Sequence, residues 1–174
     1  MVETRDTDPS RLVRDAVRRH ESSLLRYAAR ITGDLERARD VVQDTFLKLC
    51  REDLAQLDGH LTQWLYTVCR RGAIDVCRKE QRMSTISQEQ AAGVASREAS
   101  QAEAAENRDT AARVAVILAE LSENQQEVIR LKFQHGLSYR EISAVTELSV
   151  SNVGYLIHTA LGKVRQRLRV EPQP

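Results

Sequence analysis

Trp64, Arg71, Arg78 and Arg82 are spaced so that one side of a helix, at about 100° per residue, carries all four. A ring set among guanidinium groups on an exposed face suits a nucleic-acid strand. The cations neutralise phosphates and the ring stacks on an unpaired base. The facing stripe, Leu65, Cys69, Gly72 and Val76, is small or apolar and is expected to meet a core. The plainer reading of the same residues is a solvated basic face with a tryptophan beside it. Arg70 and Lys79 add to the charge: residues 70–82 hold five basic and two acidic residues, although the whole chain carries a net charge of only +1.

Little else in the chain is arranged for chemistry. His20, His60, His135 and His158 are scattered, and no nucleotide-binding loop or catalytic triad can be traced. Cys50, Cys69 and Cys77 form no C-x-x-C pair and have no histidine at metal-ligand spacing, so they read as small buried hydrophobes. No metal, no cofactor and no enzymatic activity are expected. The opening MVETRDTDPSR has no apolar segment for a signal peptide, and no run nears the roughly 18 apolar residues of a membrane span. A cytoplasmic protein is expected.

The elements that must position these groups are helical. The 174 residues are 41% hydrophobic, 29% charged and only 4% aromatic, with seven glycines, which disfavours a sheet-rich fold. Asp8-Pro9-Ser10 is a helix start, followed at helical spacing by Leu12, Val13, Ala16, Val17, Leu24, Tyr27, Ala28 and Ile31. Thr32-Gly33-Asp34 ends that helix and caps a second, in which Ala38, Val41, Val42, Thr45, Phe46 and Leu49 share an inner face. Arg37, Asp40, Gln43, Asp44, Leu47 and Lys48 remain outside, either as an ordinary wet face or as a docking surface for another protein's helices. Residues 51–59 break the periodicity, and Thr62 is expected to cap the basic helix.

From Met83 the chain is rich in Ala, Gln, Ser and Glu and poor in large apolar residues, the composition of a flexible linker. A new helix is expected to begin before Asn107 and to carry Val114, Ile117, Leu118 and Leu121. Ser122-Glu-Asn-Gln125 and Ser138-Tyr-Arg-Glu141 are capping boxes. The first opens a helix with Val128, Ile129, Leu131 and Phe133 inward, stopped by Gly136; the second opens a short helix with Ile142 and Val145 inward. After a turn at residues 146–149, Val153, Leu156, Ile157, Ala160, Leu161, Val164 and Leu168 share one face, completing a helix-turn-helix pattern. Ser151, Asn152, Tyr155, His158, Thr159 and Lys163 lie outside, where hydroxyl, amide and imidazole groups can reach base edges or phosphates, with Arg165, Arg167 and Arg169 behind them. The fold expected is all-α: two small helical domains, residues 8–83 and 107–170, joined by a flexible linker over 84–106.

Two blocks of sequence, in order, resemble a known arrangement. ITGDLERARDVVQDTFLKL with LTQWLYTVCRRGAIDVCRKEQR resembles the second region of bacterial sigma factors of the extracytoplasmic-function group, and LSENQQEVIRLKFQHGLSYREISAVTELSVSNVGYLIHTALGKVRQRL resembles their fourth region. The resemblance covers about residues 12–82 and 112–168. It implies a promoter-specific initiation factor that binds core RNA polymerase, with no covalent chemistry of its own. Asp40, Gln43, Asp44, Leu47 and Lys48 would dock on the clamp coiled coil of the polymerase. Trp64, Arg70, Arg71, Arg78, Lys79 and Arg82 would melt the minus-ten element and capture an unstacked base. Ser138, Tyr139, Arg140, Ser149, Ser151, Asn152, Tyr155, His158 and Lys163 would read the minus-thirty-five element, and the same domain would meet the polymerase flap. Promoter DNA and an anti-sigma factor are the further partners implied. The chain departs from the family pattern at Arg71, where many relatives have Asn, at Glu147 in place of the usual turn glycine, and at Gly154 and Thr159, where some carry arginine.

Overall fold

The structure, a computed structural model, describes residues 9–57, 59–84 and 114–170. The chain divides into two compact units, residues 1–96 and 97–174. The first holds helices α1 (Pro9–Thr32), α2 (Leu35–Leu49) and α3 (Leu61–Ser84), each packed on the other two. The linker expected over 84–106 falls, apart from Ser84, outside the described residues, as does the helix start placed before Asn107.

Proline opens α1, where its missing N–H costs nothing. Gly33 takes φ 68° and ends it, and the Asp34 side chain accepts from Arg37 N at 2.9 Å to cap α2. The chain therefore reverses within two residues. The core holds Ala16, Leu24 and Ala28 of α1, Ala38, Val41, Val42 and Leu49 of α2, and Leu65, Tyr66, Cys69 and Ala73 of α3. Buried Thr45 returns its hydroxyl to Val41 O at 2.8 Å, so no polar atom is stranded there.

Two contacts fix how α1 lies on α3. The rings of Tyr27 and Tyr66 meet edge to face with centroids 5.1 Å apart, and the Cys77 thiol, three turns further along α3, donates to Ile31 O at 3.2 Å. Later residues of α1 meet later residues of α3, so the two helices run in the same direction. On the other flank of α3, a Cβ placed on Gly72 would sit 3.3 Å from Val41 Cγ1, so glycine there permits close approach of α2.

Four expectations are corrected in this unit. Thr62 does not cap α3, because the helix begins at Leu61 and Trp64 N already bonds to His60 O at 2.9 Å. Residues 54–57 are not irregular; they form a 3-10 turn, begun by Asp53 accepting from Ala55 N. Cys50 is exposed and Cys77 only partly covered, leaving Cys69 as the one cysteine fully in the core. Cys50 emerges because it lies one residue past Leu49, off the buried stripe. Gly72 and Val76 are at the rim of the core rather than within it.

The second unit comprises α4 (114–119), α5 (Glu123–Phe133), α6 (Tyr139–Thr146) and α7 (Val150–Val170). Both capping boxes form in full, with Ser122 and Ser138 accepting from the third residue of their helices and Gln125 and Glu141 accepting from the cap N–H in return. Ile117, Leu121, Val128, Ile129, Leu131, Leu137, Ile142, Val145, Val153, Ile157 and Ala160 build its core. Two residues expected inward are not. Phe133, in the last turn of α5, is 60% exposed, and Leu168, in the last turn of α7, is 41% exposed. Glu147 adopts φ 62° to turn α6 into α7, so the position that lacks its glycine is indeed left-handed.

Candidate nucleic-acid interface

Three surfaces take shape. On α2, Asp40, Gln43, Asp44, Leu47 and Lys48 all face solvent, and Leu47 is 53% exposed. Lys48 pairs with Asp44 at 2.8 Å one turn away, a contact of small energy at such exposure. An isolated leucine among acidic and amide groups offers a partner an apolar anchor with a polar surround.

On α3, Arg71, Arg78, Lys79 and Arg82 are exposed, while Trp64 and Arg70 are half-buried. Asp75 lies between Arg71 and Arg78 on this face, an acidic group that the aromatic-and-arginine spacing did not single out. The opposite side of the helix packs on α1 and α2. Arg37 of α2 pairs with Glu80 at 2.5 Å, and burial pushes the Tyr66 hydroxyl and the Cys69 thiol each up to about 12. Both groups stay neutral and hold the helix from behind, so its basic side can act as a rigid platform.

In the second unit the exposed side of α7 presents Ser151, Asn152, Tyr155, His158 and Lys163, with Tyr155 66% exposed. Ser149 acts as its N-cap, accepting from Asn152 N at 3.2 Å, and its hydroxyl lies 3.2 Å from that of Ser151. The Ser138 hydroxyl is committed to capping α6, whereas exposed Tyr139 and Arg140 flank the start of α7. The Tyr139 ring lies against Gly154, about 3.6 Å from where a Cβ would stand, and the Lys132 ammonium sits 5.6 Å from its centroid. Nine sequence-predicted residues thus gather around the α6–α7 corner and along α7.

Gln125 supports α7 from beneath, a task its sequence context does not mark. Its side chain is buried, donates to Thr159 Oγ1 at 3.0 Å and accepts from Lys163 Nζ at 3.4 Å. It therefore ties α5 to the outer helix while closing its own capping box. The capping signature shows only its local task; nothing local in the sequence signals a bond to a helix 34 residues away.

Residues 16–83 match the family model for sigma-70 region 2, and residues 111–164 that for sigma-70 region 4. The chain belongs to the sigma-70 family. Among curated relatives, this sigma factor is 28% identical to the RNA polymerase sigma factor YlaC of Bacillus subtilis over 159 residues, covering 90% of this chain and 91% of the relative. It is 29% identical to the ECF RNA polymerase sigma factor SigL of Mycobacterium tuberculosis over 161 residues, covering 91% and 89%. Its fold is shared with the sigma factor RpoE of Bartonella quintana, solved with the anti-sigma factor NepR, at a TM-score of 0.66, 22% identity and coverage of 91% and 98%. It also resembles CnrH, solved with the cytosolic domain of CnrY, at a TM-score of 0.56, 26% identity and coverage of 94% and 91%. The sigma factor is accordingly of the extracytoplasmic-function type and serves promoter-specific transcription initiation. No helix among its described residues is long and apolar enough to cross a membrane.

Proposed function

We propose that the α2 face docks the factor on core RNA polymerase, that α3 melts the minus-ten element, and that the α6–α7 corner reads the minus-thirty-five element. The observation that carries this reading is the pairing, within one chain, of an exposed polar, charge-balanced face bearing Leu47 with two separate basic or hydrogen-bonding faces. One surface takes a protein and the other two take DNA.

On α3, Trp64, Arg70, Arg71, Arg78, Lys79 and Arg82 grip the strand. Flipping a base from the stack costs a few kcal/mol, which ring stacking and backbone contacts offset. On α7, Ser151, Asn152, Tyr155 and His158 meet base edges. Ser149, Tyr139, Arg140 and Lys163 meet phosphates and set the register, and the Ser138 cap holds α6 in place. Gly154 gives no side chain to the groove, so selectivity at that position comes from DNA shape. Residues 8–83 and 107–170 serve as the working domains and 84–106 as the connection between them. The factor acts without covalent chemistry, in the cytoplasm, and an anti-sigma protein holds it inactive; the sigma factor RpoE, which shares its fold, was solved in complex with such a protein.

The docking assignment is tested by co-purification with core polymerase. Asp44→Arg combined with Leu47→Arg replaces an anion and the anchor on an exposed face, so the helix content is expected to survive while polymerase binding is lost. Retained binding by the folded double variant would remove α2 from the interface.

A further inference from the structure

The most cationic helix in the first unit is one to which no role has been given. Over its 24 residues α1 carries six arginines, Arg11, Arg14, Arg18, Arg19, Arg26 and Arg30, against Asp15 and Glu21, a net +4 (6 − 2). Helix α3, of equal length, carries five basic and two acidic residues, a net +3 (5 − 2).

The arrangement matters more than the count. At about 100° per residue, Arg19, Arg26 and Arg30 fall within about 40° of one another, and all three are exposed. Glu21 projects from the far side of the helix, and Asp15 lies one turn before the row begins. No carboxylate among the described residues forms an ion pair with any of the three. Arg26 and Arg30 stand one turn apart, a like-charged spacing that disfavours a free helix. Partial burial, with the field of Arg26 added to it, pulls the Arg30 guanidinium below its ordinary value. Among the described residues, no ion pair balances this charge.

The row borders the seam between α1 and α3. Ser23 bonds to the Tyr66 side chain, Tyr27 packs on the Tyr66 ring, and Arg19, Arg26 and Arg30 project from the adjoining edge of α1. On α3, Arg70 lies one turn after Tyr66, and Arg78 and Arg71 follow around the same side. Helix α2 closes the opposite side of the seam, through Val41 against Gly72 and through Arg37 with Glu80. Because α1 and α3 run in the same direction, their arginine edges open toward the same side, away from α2. They form one strip: Arg19, Arg26 and Arg30 with Arg70, Arg71 and Arg78.

We infer that Arg19, Arg26 and Arg30 of α1 are a phosphate-binding surface that extends the α3 interface and holds the backbone of the promoter strand engaged there. The row is all arginine, whose planar fork matches two phosphate oxygens at once. It offers no exposed ring or amide between its members, so it grips without reading sequence. This rests on the assignment of α3 to promoter DNA.

The test uses the full chain assembled with core polymerase, with promoter affinity measured across a salt series. Each lost phosphate contact lowers the slope of log K against log salt by about 0.9. The triple variant Arg19→Gln/Arg26→Gln/Arg30→Gln is therefore expected to lower that slope by about 2 to 3 and to weaken the complex at least about tenfold near 0.1 M salt. Its affinity for core polymerase should stay unchanged. The corresponding triple lysine variant, which keeps the charge and changes the shape, should retain most of the slope. An unchanged slope in the glutamine variant, while wild type forms a salt-sensitive promoter complex, would overturn the proposal. So would a loss of core polymerase binding, which would assign the row to a protein partner. If wild type itself forms no promoter complex with core polymerase, the assignment of α3 falls first and takes this one with it.

Discussion

Among the described residues, Glu147 is the one non-glycine with a left-handed backbone. Its φ of 62° lies in the left-handed region, where an L-side chain costs about 1 to 2 kcal/mol relative to glycine. Replacing it with glycine removes the steric cost but adds freedom to the unfolded chain worth about 0.4 to 1 kcal/mol. Glu147→Gly is thus expected to stabilise the second unit by about 1 kcal/mol, raising its melting temperature by several degrees. Glu147→Ala, which keeps the Cβ, should bring no such gain; an equal rise in both would show that the glutamate side chain, not the backbone, was the burden. A second residue-scale expectation concerns pH. Tyr66 and Cys69 are held neutral up to about 12 in the folded state, whereas in an unfolded chain they ionise near their ordinary values of about 10 and 8.5. Above those values the unfolded state has released protons that the folded state keeps, so stability falls as pH rises. The stabilisation is complete below about pH 8.5 and is lost progressively up to about 12. Thermal melts of the first unit should therefore decline over that window, and Cys69→Ala should flatten the early part of the decline.

At the scale of elements, the capping boxes were legible in the sequence because their chemistry is local: a serine acceptor and a Gln or Glu three residues on satisfy two orphan N–H groups whatever the rest of the chain does. The αL turn at Gly33 and the apolar stripes of α1 and α2 were legible for the same reason, whereas on α3 only Leu65 and Cys69 of the expected stripe are buried, and Tyr66 and Ala73 join them. What could not be read was set by distant partners. Phe133 has the spacing of a core residue, but in the last turn of α5 it stays mostly exposed. Leu168 has the right phase on α7, yet stays exposed in its last turn. Cys50 resembles Cys69 in type and differs only in falling off the stripe. The candidate site divides in the same way: the exposed faces of α2, α3 and α7 follow from periodicity, while the link from Gln125 to Thr159 and Lys163 required the tertiary structure. That link makes a measurable difference between two variants of one capping box. Ser122→Ala removes only an acceptor for the helix start and should cost about 1 kcal/mol. Gln125→Ala also removes its bonds to α7 and should cost about 2 kcal/mol or more, measured by urea unfolding. Equal losses would mean that the inter-helix bonds contribute nothing net.

For the whole molecule, the question is what sets the distance between the two DNA-reading units. Residues 84–106 number 23, and an extended chain of that length reaches roughly 80 Å at about 3.3 to 3.6 Å per residue. A tether of such reach does not by itself select a promoter spacing. If both units are seated on the polymerase, spacing is instead fixed by where each is held, and the connecting residues only raise the effective concentration of one unit near the other. The two cases predict different responses to length. Lengthening a tether from 23 to 29 residues changes its closure entropy by (3/2)RT ln(29/23), about 0.2 kcal/mol, which is less than a factor of two in transcription. Moving the two promoter elements apart by five base pairs, half a turn of a duplex with about 10 base pairs per turn, places one of them on the wrong face of the DNA. Inserting six Gly and Ser residues after Ser96 is accordingly expected to lower promoter-specific transcription less than twofold, while the five-base-pair insertion lowers it more than tenfold. A collapse of activity on lengthening the chain would show that residues 84–106 position the two units directly, and that this stretch belongs to the machinery of promoter selection.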